Sequence, residues 1–315
     1  MDANGFAFDI AQKPALLRRL AEDPYDWSAV RGQQLLFVGM GSSHFANATM
    51  AHMLNHTSLT ARALLASARP VPACGIETSV IAVSATGHSV ETLAALEDVS
   101  AGTQKIGVTN NLDSAIVSIA DEVINLNAGI ETGGVACPTY TATLVALLQL
   151  VLARTQSTFD PNVLHRAAEA TEHIIATQSE WLTEFSRLAI GPATTYVTAP
   201  LERLCSAQQS ALMLREGPRL ASAACETGDW SHIDVYLTKT YDYRLILLAG
   251  SPWESQLFEW TRQRNATVIA IGADLSDAVL SLRYPYDDDE LVRLLVETTY
   301  VELLSASLWQ AQTSH

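Results

Sequence analysis

The chain alternates short, near-continuous apolar runs with longer stretches in which apolar residues recur every three or four positions. Leu35-Leu36-Phe37-Val38-Gly39 and Val80-Ile81-Ala82-Val83 are runs of the kind found in strands buried on both faces. Residues 105–109 and 122–126 repeat the pattern more weakly. Between these runs, 45–54 and 90–96 carry helical spacing. Residues 138–154 read as a long apolar helix that opens on Pro138, where a proline ring suits the first turn. The stretch 8–20 predicts an N-terminal helix kinked or restarted at Pro14. Residues 161–188 predict a connecting helix, which Gly191-Pro192 ends. A second set then follows: strand 194–198, helix 203–216, strand 243–248, helix 254–263, strand 266–271, a short strand at 279–283 and a final helix over 287–309. Strands alternating with helices predict parallel sheets covered on both faces. The fold is therefore read as α/β, with two similar doubly wound halves, residues 1–160 and 161–315.

Two of the predicted strands run into small residues. The first ends in Met40-Gly41-Ser42-Ser43 and the second in Ser84-Ala85-Thr86-Gly87-His88-Ser89, each ahead of a helix. Such a loop presents backbone N–H groups, hydroxyls and the positive end of a helix dipole, which together suit an anion, typically a phosphate. Two such loops can face one ligand at the carboxyl ends of neighbouring parallel strands. Gly41, Ser42, Ser43, Ser84, Thr86, Gly87 and Ser89 are the candidate phosphate-binding residues. After the later strand, Ala249-Gly250-Ser251-Pro252-Trp253-Glu254 replaces the small hydroxyl residues with Pro252 and Trp253, so no phosphate is expected there.

Composition narrows the ligand. The formal net charge is −15, which argues against nucleic acid and anionic membranes as partners. A sugar phosphate would have to be held by local neutral donors, because neither loop carries Lys or Arg. Apolar run lengths fall short of a membrane span, and Met1-Asp2-Ala3-Asn4 does not open a secretory signal. The four cysteines, Cys74, Cys137, Cys205 and Cys225, form no metal pattern and read as buried free thiols in a cytoplasmic protein. Asn47-Ala48-Thr49, Asn55-His56-Thr57 and Asn265-Ala266-Thr267 are read as chance glycosylation triplets. His52 and His56 share a helix face at metal-pairing spacing, but no third ligand accompanies them, so neither a metal nor a cofactor is expected.

The two loops resemble those of the sugar isomerase (SIS) family, in particular the isomerase half of glucosamine-6-phosphate synthase and its relatives, which read roughly Cys-Gly-Thr-Ser and Ser-Gln-Ser-Gly-Glu-Thr. Asp9-Ile10-Ala11-Gln12-Lys13-Pro14 is similar to the opening Glu-Ile-x-Glu-Gln-Pro of the double-SIS proteins. Ala128-Gly129-Ile130-Glu131-Thr132-Gly133 tracks Ala-Gly-Pro-Glu-Ile-Gly. Ser210-Ala211-Leu212-Met213-Leu214-Arg215-Glu216 resembles Ala-Leu-Lys-Leu-Lys-Glu, whose final Glu moves the proton in aldose–ketose isomerisation. Gly228-Asp229-Trp230-Ser231-His232 resembles Gly-Glu-Leu-Lys-His-Gly-Pro, whose His opens the sugar ring and reaches into a neighbouring subunit's site. The resemblance thus implies Glu216 and His232 as catalytic residues and a homodimer as the working unit.

The chain also departs from that pattern. Met213 stands for a Lys, Ala136-Cys137-Pro138 for Ser-Thr-Lys, and His88 for the Glu of the second loop. The final residues, Gln312-Thr313-Ser314-His315, do not match the synthase tail Pro-Arg-Asn-Leu-Ala-Lys-Ser-Val-Thr, and no glutaminase domain precedes the first loop. The expectation is therefore not a synthase. It is a hexose- or hexosamine-phosphate enzyme of the isomerase or deaminase type. Phosphorylated fructosamine deglycation and non-catalytic phosphosugar binding are the alternatives.

Overall fold

The computed structural model describes residues 1–57 and 59–313. Ser314 and His315, the end of the stretch compared with the synthase tail, lie outside the described residues. The chain opens with α1 (Ala3–Glu22) and continues through β1 (Gln34–Gly39), α2 (Gly41–Asn55), β2 (Thr60–Leu65), β3 (Thr78–Val83), α3 (Val90–Glu97), β4 (Gln104–Thr109), α4 (Ala115–Ile119), β5 (Glu122–Asn125) and α5 (Pro138–Arg154). Next come α6 (Asn162–Ala176), α7 (Gln178–Ala189), β6 (Thr195–Ala199), α8 (Leu204–Glu216), β7 (Ser222–Glu226) and α9 (Thr227–Trp230). The chain closes with β8 (Arg244–Leu248), α10 (Glu254–Gln263), β9 (Thr267–Ile271), β10 (Leu280–Leu282), α11 (Glu290–Val296) and α12 (Thr298–Thr313). Two compact units result. The first-sheet unit is Arg18–Ile130 with Pro138–Pro161, and the second-sheet unit is Met1–Leu17, Glu131–Cys137 and Asn162–His315.

In the first-sheet unit the strands lie in the order β2-β1-β3-β4-β5, all parallel. β3 is buried along its whole length, the apolar run 80–83 and the polar Thr78 and Ser79 alike. Leu36, Val38, Val80 and Ala82 pack with Leu96, Val99 and Ile116 in one core cluster. β2 was not legible in the sequence. Thr60-Ala61-Arg62-Ala63-Leu64-Leu65 is an edge strand, and only Ala61 along it is fully buried, so it needs no apolar run.

The second-sheet unit is also parallel, in the order β10-β9-β8-β6-β7. Read from the β7 edge, the succession matches that of the first sheet. Tyr196, Leu245, Leu247 and Val268 pack with Trp230 and Tyr243, and Trp230 Nε1 donates to Tyr243 Oη at 2.8 Å. β7, the half-buried edge strand missing from the sequence reading, is Ser222-Ala223-Ala224-Cys225-Glu226. The expected connecting helix is two helices divided at Thr177, and the expected final helix is divided at Glu297. Glu297 is fully buried and pairs with Arg203, which ties the break to β6's outgoing loop.

α1 runs through Pro14 as one continuous helix, so the chain does not restart there. The bond lost at the proline is offset by neighbouring anchors. Lys13 Nζ donates to Glu302 Oε2 at 2.6 Å and to Thr299 Oγ1 at 3.0 Å. Among the described residues, no helix is long and apolar enough to cross a membrane.

Candidate functional site

The first sheet changes direction of winding between β1 and β3. In doubly wound sheets, ligands bind at that point, outside the carboxyl ends of the strands. Gly39 and Val83 are register partners, so the loops that follow them leave the sheet side by side. The loop with Gly41, Ser42 and Ser43 and the loop with Ser84, Thr86, Gly87 and Ser89 therefore start from neighbouring strand ends. Gly41 starts α2 with φ +50°, and a side chain there would meet nothing within 4 Å. Gly87 is required at its position. It has φ +67°, and a Cβ would lie 1.9 Å from Ser114 Oγ.

The hydroxyls of the β3 loop have different roles. Ser89 caps α3, accepting from Thr92 N at 3.3 Å and donating to Glu91 Oε2 at 3.1 Å. Thr86 is exposed, and its Oγ1 accepts from His88 N at 3.3 Å, which leaves the hydroxyl proton available. No described side chain accepts from the N–H groups of Ala85 or Thr86.

The equivalent loop of the second sheet follows β8 and is already filled. Glu254 Oε1 accepts from Ser251 N at 3.0 Å and also from Gly250 N. Gly250 has φ +124°, and a Cβ there would lie 2.6 Å from an Arg203 guanidinium nitrogen. The amides that would receive an anion are satisfied by the chain's own carboxylate. The sequence reading excluded phosphate here because of Pro252 and Trp253, and Glu254 supplies the physical reason.

The acid–base candidates lie in the second-sheet unit. Glu216 is the last residue of α8 and is half-buried. Burial raises its carboxyl above the ordinary range. Arg215 opposes that rise and Glu131 adds to it. Among the described residues, no ion pair holds Glu216. His232 is exposed and follows α9, with its N–H donating to Asp229 O at 2.8 Å. No hydrogen bond joins it to Glu216. Met213, where the resemblance places a Lys, is fully buried, and its Sδ accepts from Gln209 Nε2 at 3.6 Å.

Two residues near this region were not singled out from sequence. Glu131 accepts from Cys137 N at 2.7 Å. Asp9, only 1% exposed, accepts from Thr132 N at 3.0 Å, Thr132 Oγ1 at 2.8 Å and Gly133 N at 2.7 Å. Asp9 thus pins the segment that carries Glu131. Both residues lie in stretches where the family resemblance is visible, which was the available signal.

His52 and His56 bring their Nε2 atoms to 3.1 Å, and no group of three metal-ligating side chains occurs among the described residues. A cavity of 380 Å³ opens beside β5, lined by Arg19, Tyr25, Trp27 and Asn125 among others, and none of the candidate site residues lines it.

Residues 31–153, which include both anion loops, match the SIS domain family model. The chain contains an SIS domain. It is 28% identical over 320 residues to the isomerizing glutamine–fructose-6-phosphate aminotransferase of Aeropyrum pernix, covering 95% of this chain and 51% of that protein. The chain thus spans about half the length of that curated relative. In structure it is similar to the C-terminal domain of glucosamine-fructose-6-phosphate aminotransferase from Francisella tularensis, with a TM-score of 0.81 at 15% identity over 98% of this chain and 99% of that one. Tagatose-6-phosphate ketose/aldose isomerase from Escherichia coli aligns with a TM-score of 0.73 at 16% identity, over 100% and 95% of the two chains. The family resemblance and the paired doubly wound sheets expected from sequence are both borne out.

Proposed function

We propose that this SIS protein processes a hexose or hexosamine phosphate by chemistry of the aldose–ketose isomerase or amino-sugar deaminase type. The observation that carries the reading is the pairing of Gly39 with Val83, which sets two donor-rich loops side by side at the switch point of the first sheet. In this reading the loops grip the phosphate with Ser43, Ser84, Thr86 and Ser89. Glu216 carries a proton between C1 and C2, and His232 assists ring opening. A carboxyl raised by burial suits a group that must both take and return a proton near neutral pH.

One observation favours a second reading. Met213 is sealed in the core where an amine would be needed for Schiff-base chemistry, which supports a phosphosugar-binding protein without turnover. Deglycation of a phosphorylated fructosamine also remains within the same chemistry.

A thermal-shift screen of hexose and hexosamine phosphates, followed by NMR of C2-proton exchange in deuterated buffer, separates these. Binding with exchange supports the enzyme, whereas binding without exchange assigns the protein to the binding class. A screen with no shift for any sugar phosphate overturns both. The reading also assigns the working form as a homodimer, which light scattering at micromolar concentration tests.

A further inference from the structure

Asn47 lies on α2, one turn after Ser43, and is fully buried. Among the described residues, neither Nδ2 nor Oδ1 of its carboxamide has a hydrogen-bond partner. Turning the amide over changes nothing, because both ends are orphaned. A buried polar group without a partner weakens a fold, and an apolar side chain of similar size would not. Its retention therefore needs a reason outside the static packing. Glycosylation of the Asn47-Ala48-Thr49 triplet is not that reason, since the side chain is inaccessible in the folded chain.

The surroundings supply one. A Cβ built on Gly39 would lie 2.9 Å from Asn47 Nδ2, 3.1 Å from Ser43 Cβ and 3.1 Å from Val83 O. The amide, Ser43 and the carboxyl ends of β1 and β3 therefore meet where the two anion loops part. Helical side chains lean toward the helix N-terminus, so the Asn47 amide is carried toward Ser43, four residues earlier. A serine hydroxyl has one proton to give and lone pairs to receive. If Asn47 donates to its oxygen, the proton stays free for a phosphate oxygen, and the two bonds polarise each other. Such a chain matters most where no Lys or Arg is in the loops.

We propose that Asn47 is a positioning residue of the anion site, donating from its carboxamide to Ser43 Oγ when phosphate is bound so that the Ser43 hydroxyl points at the ligand. This rests on the reading of the two loops as a phosphate site.

The test is calorimetric titration of the full chain with fructose 6-phosphate for wild type, Asn47→Leu, Ser43→Ala, the double variant and Thr86→Glu. Asn47→Leu is expected to weaken binding about ten-fold while Tm stays equal to or above that of wild type. In the Ser43→Ala background, Asn47→Leu should add no further loss. Asn47→Ala asks the same question should the Leu variant fail to fold. Equal losses in both backgrounds, or unchanged affinity in Asn47→Leu while Thr86→Glu abolishes binding, overturn the role of Asn47. Unchanged affinity in Thr86→Glu overturns the phosphate-loop reading itself, and this role with it.

Discussion

Glu254 Oε1 lies 3.0 Å from the backbone N of Ser251 and accepts its hydrogen bond. The loop after β8 thereby has its amides taken by an internal carboxylate, whereas at the loop after β3 Glu91 accepts from the Ser89 hydroxyl and from no described amide of the loop. Thr86→Glu would give the β3 loop the same kind of plug. Because Thr86 is exposed, the fold should tolerate the change, with stability altered by no more than about 0.5 kcal/mol. Affinity for hexose phosphates should be lost. Calorimetry on the variant, with circular dichroism as the folding control, checks both halves of this outcome.

The converse substitution, Glu254→Ala, strips two loop amides of their acceptor. Loss of such a cap typically costs about 0.5–2 kcal/mol. Denaturant unfolding should show that loss, while hexose-phosphate affinity stays at the wild-type value. A fall in affinity would mean that the second loop contributes to binding after all.

Glu216→Gln keeps the shape of the side chain and removes the base. Substrate affinity should survive, and C2-proton exchange should fall by about a hundred- to ten-thousand-fold. The pH dependence follows from the raised carboxyl. The folded state holds this proton more tightly than the unfolded chain does, so between the two pKa values stability declines as pH rises. Above that window the ionised, half-buried Glu216 weakens the fold, and below it the effect vanishes. The Gln variant should therefore match wild type in acid and exceed it in Tm near neutrality. Wild-type exchange should fall as acid protonates the base, with its midpoint above the ordinary Glu range.

Lys13 and Glu302 form an ion pair with both side chains fully buried. Removing one partner strands the other charge, which commonly costs about 3–5 kcal/mol. Lys13→Met should lose this much in chemical denaturation. Combining it with Glu302→Gln should restore part of it, since no buried charge then lacks a partner. A Lys13→Met protein as stable as wild type would contradict the assignment of the pair as a structural anchor.

The central strands were legible because their apolar runs are unbroken. Val80 to Val83 are all buried, and so are read directly from residue type. β2 and β7 were missed because edge strands bury one face or less, and Arg62 and Ser222 are as compatible with loop as with strand. The two anion loops could be found because glycine and serine ending an apolar run is a local signal. Asn47 could not, since an orphaned amide is defined by what surrounds it in space. Asp9 and Glu131 were visible only as members of longer stretches. The hydrogen bonds of Asp9 reach Thr132 and Gly133, far along the chain, which no local periodicity encodes. The continuity of α1 through Pro14 was not legible either, because the anchors at Lys13 lie near the other end of the sequence.

The anchoring of α1 also fixes an order of events during synthesis. Asp9 meets Gly133 across 124 residues and Lys13 meets Glu302 across 289. A ribosome adds about 5–20 residues per second, so Lys13 waits ~15–60 s for its partner. The first sheet, complete by Asn125, can close in the meantime. Residues 1–17, which carry the buried Phe6, belong to a unit completed only when α12 emerges, bringing Trp309 against Phe6 and Glu302 to Lys13. The N-terminal helix is thus the first segment made and among the last to settle, which makes it the part of the nascent chain that a chaperone would meet.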